Sequence, residues 1–116
     1  MLPQPLFYNS NHLPGFRLPT YTGKIFVSFR EIIRLEGRRN YTLFVLTHGR
    51  KVLVSRTLSC FGQMLTENFV RIRRGCIINL DFVVSANEKE CKFKDGVVVS
   101  IARRRTKIWN ELSAAK

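Results

Sequence analysis

The sequence predicts a mainly β domain in which short antiparallel strands are accompanied by one or two short helices. From residue 24 onward, short runs rich in valine, isoleucine and phenylalanine alternate with turn residues. These runs do not alternate with long helices, so a parallel sheet of βαβ units is not favoured. A length of 116 residues and a hydrophobic share of 45% fit a single domain with a packed core.

The N-terminal segment differs in composition from the rest of the chain. All four prolines lie within residues 1–19, where Arg17 is the single charged side chain. This composition is typical of an extended leader or linker, and of a mobile tail more than of a docked segment. We therefore predict a leader over residues 1–23 and one domain over residues 24–116.

The first half of the domain contains four strand candidates followed by a helix. The candidate strands are residues 24–29, 31–36, 41–47 and 51–55. A turn at His48-Gly49-Arg50 separates the last two, which predicts a hairpin. Thr57 suits the N-cap of a helix that continues to about residue 66 and places Leu58, Phe61 and Leu65 on one face.

The second half predicts four further strands and a final helix. The strands are residues 76–79, 82–86, 91–93 and 97–101. Lys94-Asp95-Gly96 is a good hairpin turn between the last two strands. A helix is expected from Arg103 to about residue 113, because Ile108 and Leu112 are spaced for one helix face.

Positive charge is the main functional signal. The chain carries 20 Lys and Arg against 8 Asp and Glu, a net charge of +12 and a pI of about 10.5. Three arginine groups stand at the edges of apolar segments: Arg38-Arg39, the group around Arg73-Arg74, and Arg103-Arg104-Arg105. Cations held on a rigid scaffold favour a polyanionic partner, either nucleic acid or an anionic membrane surface.

Enzymatic and metal chemistry is not indicated. The three cysteines Cys60, Cys76 and Cys91 are far apart and form no CxxC pair, so no metal or cofactor is expected. Cys76 follows Arg74 closely, which would favour a reactive thiolate, but a buried core thiol is the better interpretation. Free thiols, the lack of a signal peptide and the lack of a long apolar segment predict a cytoplasmic protein that is not an enzyme.

Three stretches, in order, resemble the LytTR DNA-binding domain of bacterial transcription regulators. The first is Ile32-Ile33-Arg34-Leu35-Glu36 followed by Asn40-Tyr41. The second runs from Thr57-Leu58 through Phe69-x-Arg71-Ile72-Arg73-Arg74-Gly75-Cys76-Ile77-Ile78-Asn79, and the third from Asp95-Gly96 to Arg105. The resemblance implies an elongated antiparallel β assembly whose loops bind double-stranded DNA.

The resemblance also implies which residues face the DNA. Members of this family recognise direct repeats and bend the duplex, and most are joined to a sensory or receiver domain. We therefore expect a duplex partner, a separate sensory partner, no membrane partner, and a monomer in the absence of DNA. The expected DNA-binding residues are Arg38, Arg39, Asn40, Tyr41, Arg73, Arg74, Arg103, Arg104 and Arg105.

Two other polar residues are expected to be structural, and two other functions stay open. Glu36 is placed to hold Arg34 or Arg38, and Asn79 is expected to bond nearby backbone.

A module for single-stranded nucleic acid or RNA would use exposed aromatics, for which Phe44, Phe82 and Phe93 are the candidates, but their surroundings in the sequence are typical of a core. A membrane-surface or protein-interaction module would use the basic C-terminal helix.

Overall fold

The protein forms a three-layer assembly of antiparallel strands. The computed structural model describes residues 7–8, 13–20, 23–65 and 68–102. In these residues the elements are β1 (Phe7–Tyr8), β2 (Pro14–Thr20), β3 (Gly23–Ser28), β4 (Ile32–Arg38), β5 (Tyr41–Leu46), β6 (Lys51–Val54), α1 (Leu58–Gly62), β7 (Phe69–Arg73), β8 (Cys76–Asn79), β9 (Val83–Ala86), β10 (Glu90–Phe93) and β11 (Val98–Ser100). Short 3-10 turns at Phe29–Glu31, Thr47–Gly49 and Leu80–Phe82 link some of these strands.

The strands form three sheets, and every pairing is antiparallel. The central sheet has five strands in the order β6-β5-β4-β8-β7. The sheet β1-β2-β3 precedes it in the chain and the sheet β11-β10-β9 follows it. The described part measures 39 × 29 × 29 Å. The predicted mainly β, antiparallel and elongated fold is therefore confirmed.

The central sheet separates two hydrophobic cores. Because side chains alternate between the faces of a strand, Phe44 and Ile77 point to one core while Val45 and Ile78 point to the other. The first core is closed by β2, β3 and α1, and the second by the β9–β11 sheet. The five-stranded sheet is therefore apolar on both faces and is held as a rigid platform between two covering layers.

Strand β2 lies within the segment that was expected to be a leader, and the structure differs from that expectation. β2 pairs with β3 over its whole length, and Phe16 and Leu18 are only 5% and 2% exposed in the first core. Arg17 and Pro19 point outward, so the segment has the alternation of a half-buried strand. Its proline content masked that signal. The placement of the domain boundary at residue 24 stays a prediction.

One helix is shorter than expected, and one strand was not expected. The helix is one short turn that ends at Gly62, after Leu58 and Phe61 have entered the first core. Residues Phe69–Arg73 form strand β7, which the sequence analysis did not predict as a strand. The final helix expected from Arg103 lies outside the described residues.

Candidate nucleic-acid interface

Two of the three predicted DNA-binding elements lie side by side at one end of the central sheet. β4 and β8 are neighbours, with Glu36 opposite Cys76. The backbone N–H of Gly37 donates a 2.8 Å hydrogen bond to the carbonyl of Gly75. This bond joins the β4–β5 turn to the β7–β8 turn, so the two arginine pairs belong to one surface.

The β4–β5 turn presents four exposed side chains. Arg38 and Tyr41 face each other across the end of the hairpin, and Arg39 and Asn40 form the turn itself. Arg39 has a φ of 57°, in the positive range that the commonest two-residue hairpin turns adopt at their first central residue. Tyr41 is 45% exposed, although the next residue of the strand is buried. All four predicted residues of this turn are thus accessible to a partner.

The backbone of the β7–β8 turn is held by hydrogen bonds from the side chain of Arg71. The guanidinium of Arg71 donates from Nε (3.1 Å) and from Nη2 to the carbonyl oxygen of Arg74. Arg73 donates from Nη1 to the hydroxyl of Ser100 at 3.1 Å. The Arg74 side chain is exposed and makes no hydrogen bond or ion pair with another described residue. Its backbone is therefore fixed while its guanidinium is available.

Ala102, the last described residue, lies next to the same turn. The backbone N–H of Ala102 donates to the carbonyl of Ile72 at 2.9 Å. Ile101 is buried, and its backbone N–H donates to the carbonyl of Lys89. These bonds hold Ala102 against β7, beside the residue that precedes Arg73. Arg103, Arg104 and Arg105 themselves lie outside the described residues.

A groove of about 510 Å³ separates the two turns from the last hairpin. Arg38, Arg73, Glu36 and Glu90 contribute its charged side chains. The remainder of its lining is small or apolar: Gly37, Gly75, Cys76, Val97, Val98, Val99 and Ser100. The groove is therefore a narrow cleft of mixed charge within a surface whose rim is cationic.

Sequence reasoning missed one exposed arginine at this end of the sheet. Arg56 follows β6, and the hydroxyl of Thr42 donates to its carbonyl at 2.7 Å. That bond places Arg56 beside the first residues of β5, next to Tyr41. The hairpin register, with Thr42 opposite Val54, was the signal that could have located it. Arg71, which braces Arg74, was likewise part of the motif without an assigned role.

A ladder of ion pairs runs along β4 toward the interface. Arg34 is 4% exposed and donates to Glu36 at 2.9 Å and to Asp95 at 3.0 Å. Its guanidinium also lies 5.0 Å from the centre of the Phe93 ring. Glu36 accepts a second bond, of 3.0 Å, from Arg38. The prediction that Glu36 holds Arg34 or Arg38 is confirmed, because it holds both.

The ladder lowers the pKa of both of its carboxylates, Glu36 and Asp95. Burial on its own would raise the pKa of Glu36, but hydrogen bonds from Arg34 and Arg38 outweigh it and hold the pKa below its ordinary value. Burial also opposes ionisation of Asp95, but the Val97 N–H and Arg34 hold its pKa low. Both carboxylates are therefore ionised at neutral pH.

The amide of Asn79 is structural, as predicted. Its nitrogen donates to the carbonyl of Ile32 at 2.9 Å, and its oxygen accepts the backbone N–H of Asp81 at 3.0 Å. Asn68 donates to the same oxygen at 3.3 Å. One buried side chain thus joins β8 to the start of β4 and starts the turn that follows it.

The cysteines do not form a reactive centre. Burial raises the pKa of Cys76 to about 12 and that of Cys91 to about 11, so neither is a thiolate at neutral pH. The nearby arginines do not offset that burial. Among the described residues, no group of three His, Cys, Asp or Glu side chains is placed to hold a metal ion. No helix within those ranges is long and apolar enough to span a membrane.

The aromatic residues named for single-strand binding do not form an open stacking surface. Phe44 and Phe93 are fully buried in the first and second cores. Phe82 is half-buried, packs against the second core, and has the Lys94 ammonium 5.6 Å from its ring centre. These three rings therefore stabilise the fold and are not available as a platform for bases.

The comparisons with known proteins agree with the fold and identify the family of the chain. The sequence model of the LytTr DNA-binding domain matches residues 23–113, so the chain belongs to the LytTr DNA-binding domain family. Family membership indicates a DNA-binding domain.

Solved structures show the same architecture. The chain resembles the LytTr DNA-binding domain of a Bacillus cereus protein assigned as a methyl-accepting/DNA response regulator, with a TM-score of 0.73. The sequence identity is 19%, and the match covers 84% of this chain and 94% of that one. No curated protein sequence matches the chain significantly.

Proposed function

We propose that the chain binds double-stranded DNA sequence-specifically, as the DNA-binding part of a bacterial transcription regulator. Family membership supports DNA binding, and the hydrogen bond between Gly37 and Gly75 supports one continuous contact surface. In this proposal the protein acts in the cytoplasm, is a monomer in free solution, and binds direct repeats. A separate sensory partner supplies the signal.

The proposed surface divides its arginines between reading and positioning. Arg74 stands on a braced turn with an available side chain, which suits bidentate binding to a guanine edge. Arg39 and Arg56 are exposed at the neighbouring loop ends and suit phosphate contacts. Asn40 and Tyr41 complete the β4–β5 turn beside Arg38 and Arg39, and both are exposed.

The third element follows from chain connectivity. Arg103 is the next residue after Ala102, which is bonded to β7 beside Arg73. In the proposal Arg103 joins Arg74 in reading bases, while Arg104 and Arg105 contact phosphates. The many charged contacts offset a DNA bend, which costs of order 1–6 kcal/mol.

Binding is expected to depend strongly on salt. If about six phosphates are neutralised, log K should fall with log salt concentration at a slope near −5. Fluorescence anisotropy with a duplex at several salt concentrations measures this slope. Matched single-stranded DNA and RNA form the comparison, because the proposal requires the duplex to bind best. A slope shallower than about −2 would show that the arginine groups do not face the backbone together.

Arg74→Ala is expected to weaken a selected duplex by about 10- to 100-fold and random DNA much less, because one bidentate base contact is lost. Arg105→Ala is expected to weaken both duplexes about equally and to make the salt slope shallower by about one unit. The duplex is first obtained by selection from a random pool, and each variant is then titrated with it and with a scrambled duplex.

Arg30→Ala is the matched control for both variants. Arg30 is exposed on the 3-10 turn before β4, at the opposite end of that strand from Arg38, so it removes the same charge away from the interface. It should leave the ratio of selected to random affinity unchanged. If Arg74→Ala also leaves this ratio unchanged, the β7–β8 turn does not read the sequence.

A further inference from the structure

We propose that Glu36 is a positioning residue that directs Arg38 to a base edge, and that the buried Arg34 holds Glu36 in place. This inference rests on the proposed function, because it assigns a role within the same DNA-binding surface. It gives Arg38, which the sequence analysis expects only to bind DNA, a contribution to sequence preference.

The three side chains share one face of β4. Residues 34, 36 and 38 alternate along the strand, and successive alternate residues of a strand point to the same side. The series begins in the second core beside Phe93 and ends at the β4–β5 turn. It therefore links the protein interior to the proposed DNA surface in two steps.

Each oxygen of the Glu36 carboxylate accepts a hydrogen bond from one of the two arginines. One oxygen accepts Nε of Arg34 at 2.9 Å, and the other accepts Nη2 of Arg38 at 3.0 Å. Arg34 cannot move to accommodate a change, because it is 4% exposed and is also bonded to Asp95. The position of Glu36 is thus fixed by the core, and one edge of the Arg38 guanidinium is fixed by Glu36.

This arrangement favours a neutral target for Arg38. The Arg38 side chain is 60% exposed, so its remaining N–H groups can reach a partner. A phosphate that approached this guanidinium would be repelled by the carboxylate bonded to it, whereas the acceptor atoms of a guanine edge carry no formal charge. Fixing the fork in advance also reduces the ordering cost of a bidentate contact. Arg38 is therefore better suited to bases than to phosphates.

Glu36→Gln tests this assignment. The substitution keeps the shape of the side chain but removes its charge and one of its two acceptor atoms. We expect random DNA to bind more tightly, because a negative charge is lost, and the ratio of selected to random affinity to fall by about 10-fold. A residue with a purely structural role would weaken both duplexes and leave the ratio unchanged, and that result would overturn the proposal.

Glu90→Gln is the matched control. Glu90 is an exposed carboxylate in the same groove, and its side chain makes no hydrogen bond or ion pair with another described residue. Its neutralisation should tighten selected and random DNA to the same extent. If Glu36→Gln behaves in the same way as Glu90→Gln, Glu36 acts only through its charge and positions nothing.

Arg38→Lys tests the same idea without replacing Glu36 or the buried Arg34. Lysine keeps the charge but lacks the planar fork, so random DNA should bind as before while the ratio falls. In an Arg38→Ala background, Glu36→Gln should no longer change the ratio. If the wild-type protein shows no sequence preference, the proposed function itself fails. If it discriminates and both Glu36→Gln and Arg38→Lys discriminate equally well, only the positioning role fails.

Discussion

Phe16→Ala is expected to lower the free energy of unfolding by about 3–5 kcal/mol. Phe16 is 5% exposed and packs edge-on against Phe29, Phe44 and Phe61, with ring centres 5.0, 5.9 and 5.4 Å away. Truncation would open a cavity between β2 and the central sheet and would remove three aromatic contacts. Denaturant unfolding followed by tryptophan fluorescence or circular dichroism measures the change.

Phe26→Ala makes the same chemical change on the neighbouring strand. Phe26 lies on β3 opposite Arg17, is half-buried, and belongs to neither core. Its truncation should cost clearly less than that of Phe16. A cost below about 1 kcal/mol for Phe16→Ala would mean that β2 behaves as the leader expected from the sequence and not as a layer of the fold.

Arg34→Ala is expected to cost about 3 kcal/mol of stability at neutral pH, because removing one partner of a buried ion pair leaves charges uncompensated. Glu36 and Asp95 are 26% and 31% exposed and can regain some water, which keeps the cost near the lower end of the usual range. The same unfolding experiment measures it. Arg50→Ala is the control, since its ion pair with Glu31 is exposed and should contribute less than about 1 kcal/mol.

The cost of Arg34→Ala should also depend on pH. The pKa values of Glu36 and Asp95 are lowered in the folded protein, so their stabilising effect is complete above their ordinary values of 4.5 and 3.8. It is lost as the pH falls through the lower pKa values of the folded state. The difference between wild type and Arg34→Ala should therefore narrow below about pH 4. A constant difference down to acidic pH would contradict the ladder.

The fold was largely predictable because most strands show their burial in local sequence. The runs at Tyr41–Leu46 and Cys76–Asn79 are apolar, and each is bounded by turn residues. β2 and β7 were missed for different reasons. β2 has a proline at each end of its alternation, and β7 interleaves arginines with Val70 and Ile72. In both cases the strand forms because one face is covered by tertiary contacts, which local propensity does not report.

The site was predictable at the level of loops but not at the level of contacts. Clusters such as Arg38-Arg39 and Arg73-Arg74 are visible in the sequence, but their proximity depends on the pairing of β4 with β8. Arg56 is an isolated arginine in the sequence. The register of the β5–β6 hairpin is what places it beside Tyr41, at the proposed DNA-binding surface. Pairing between distant strands is set by the complete fold, so such partners are hidden until the sheet order is known.

The unequal burial of the three cysteines has a practical consequence for spectroscopy. Cys60 is exposed on α1, four residues after Arg56, while Cys76 and Cys91 are buried with raised pKa values. Thiol-directed dyes react with the thiolate form at an accessible sulfur. The native chain therefore offers one attachment point for a fluorophore, close to the proposed contact surface, without any engineered residue. Energy transfer from that dye to labelled ends of a duplex would report the path of the DNA over the protein.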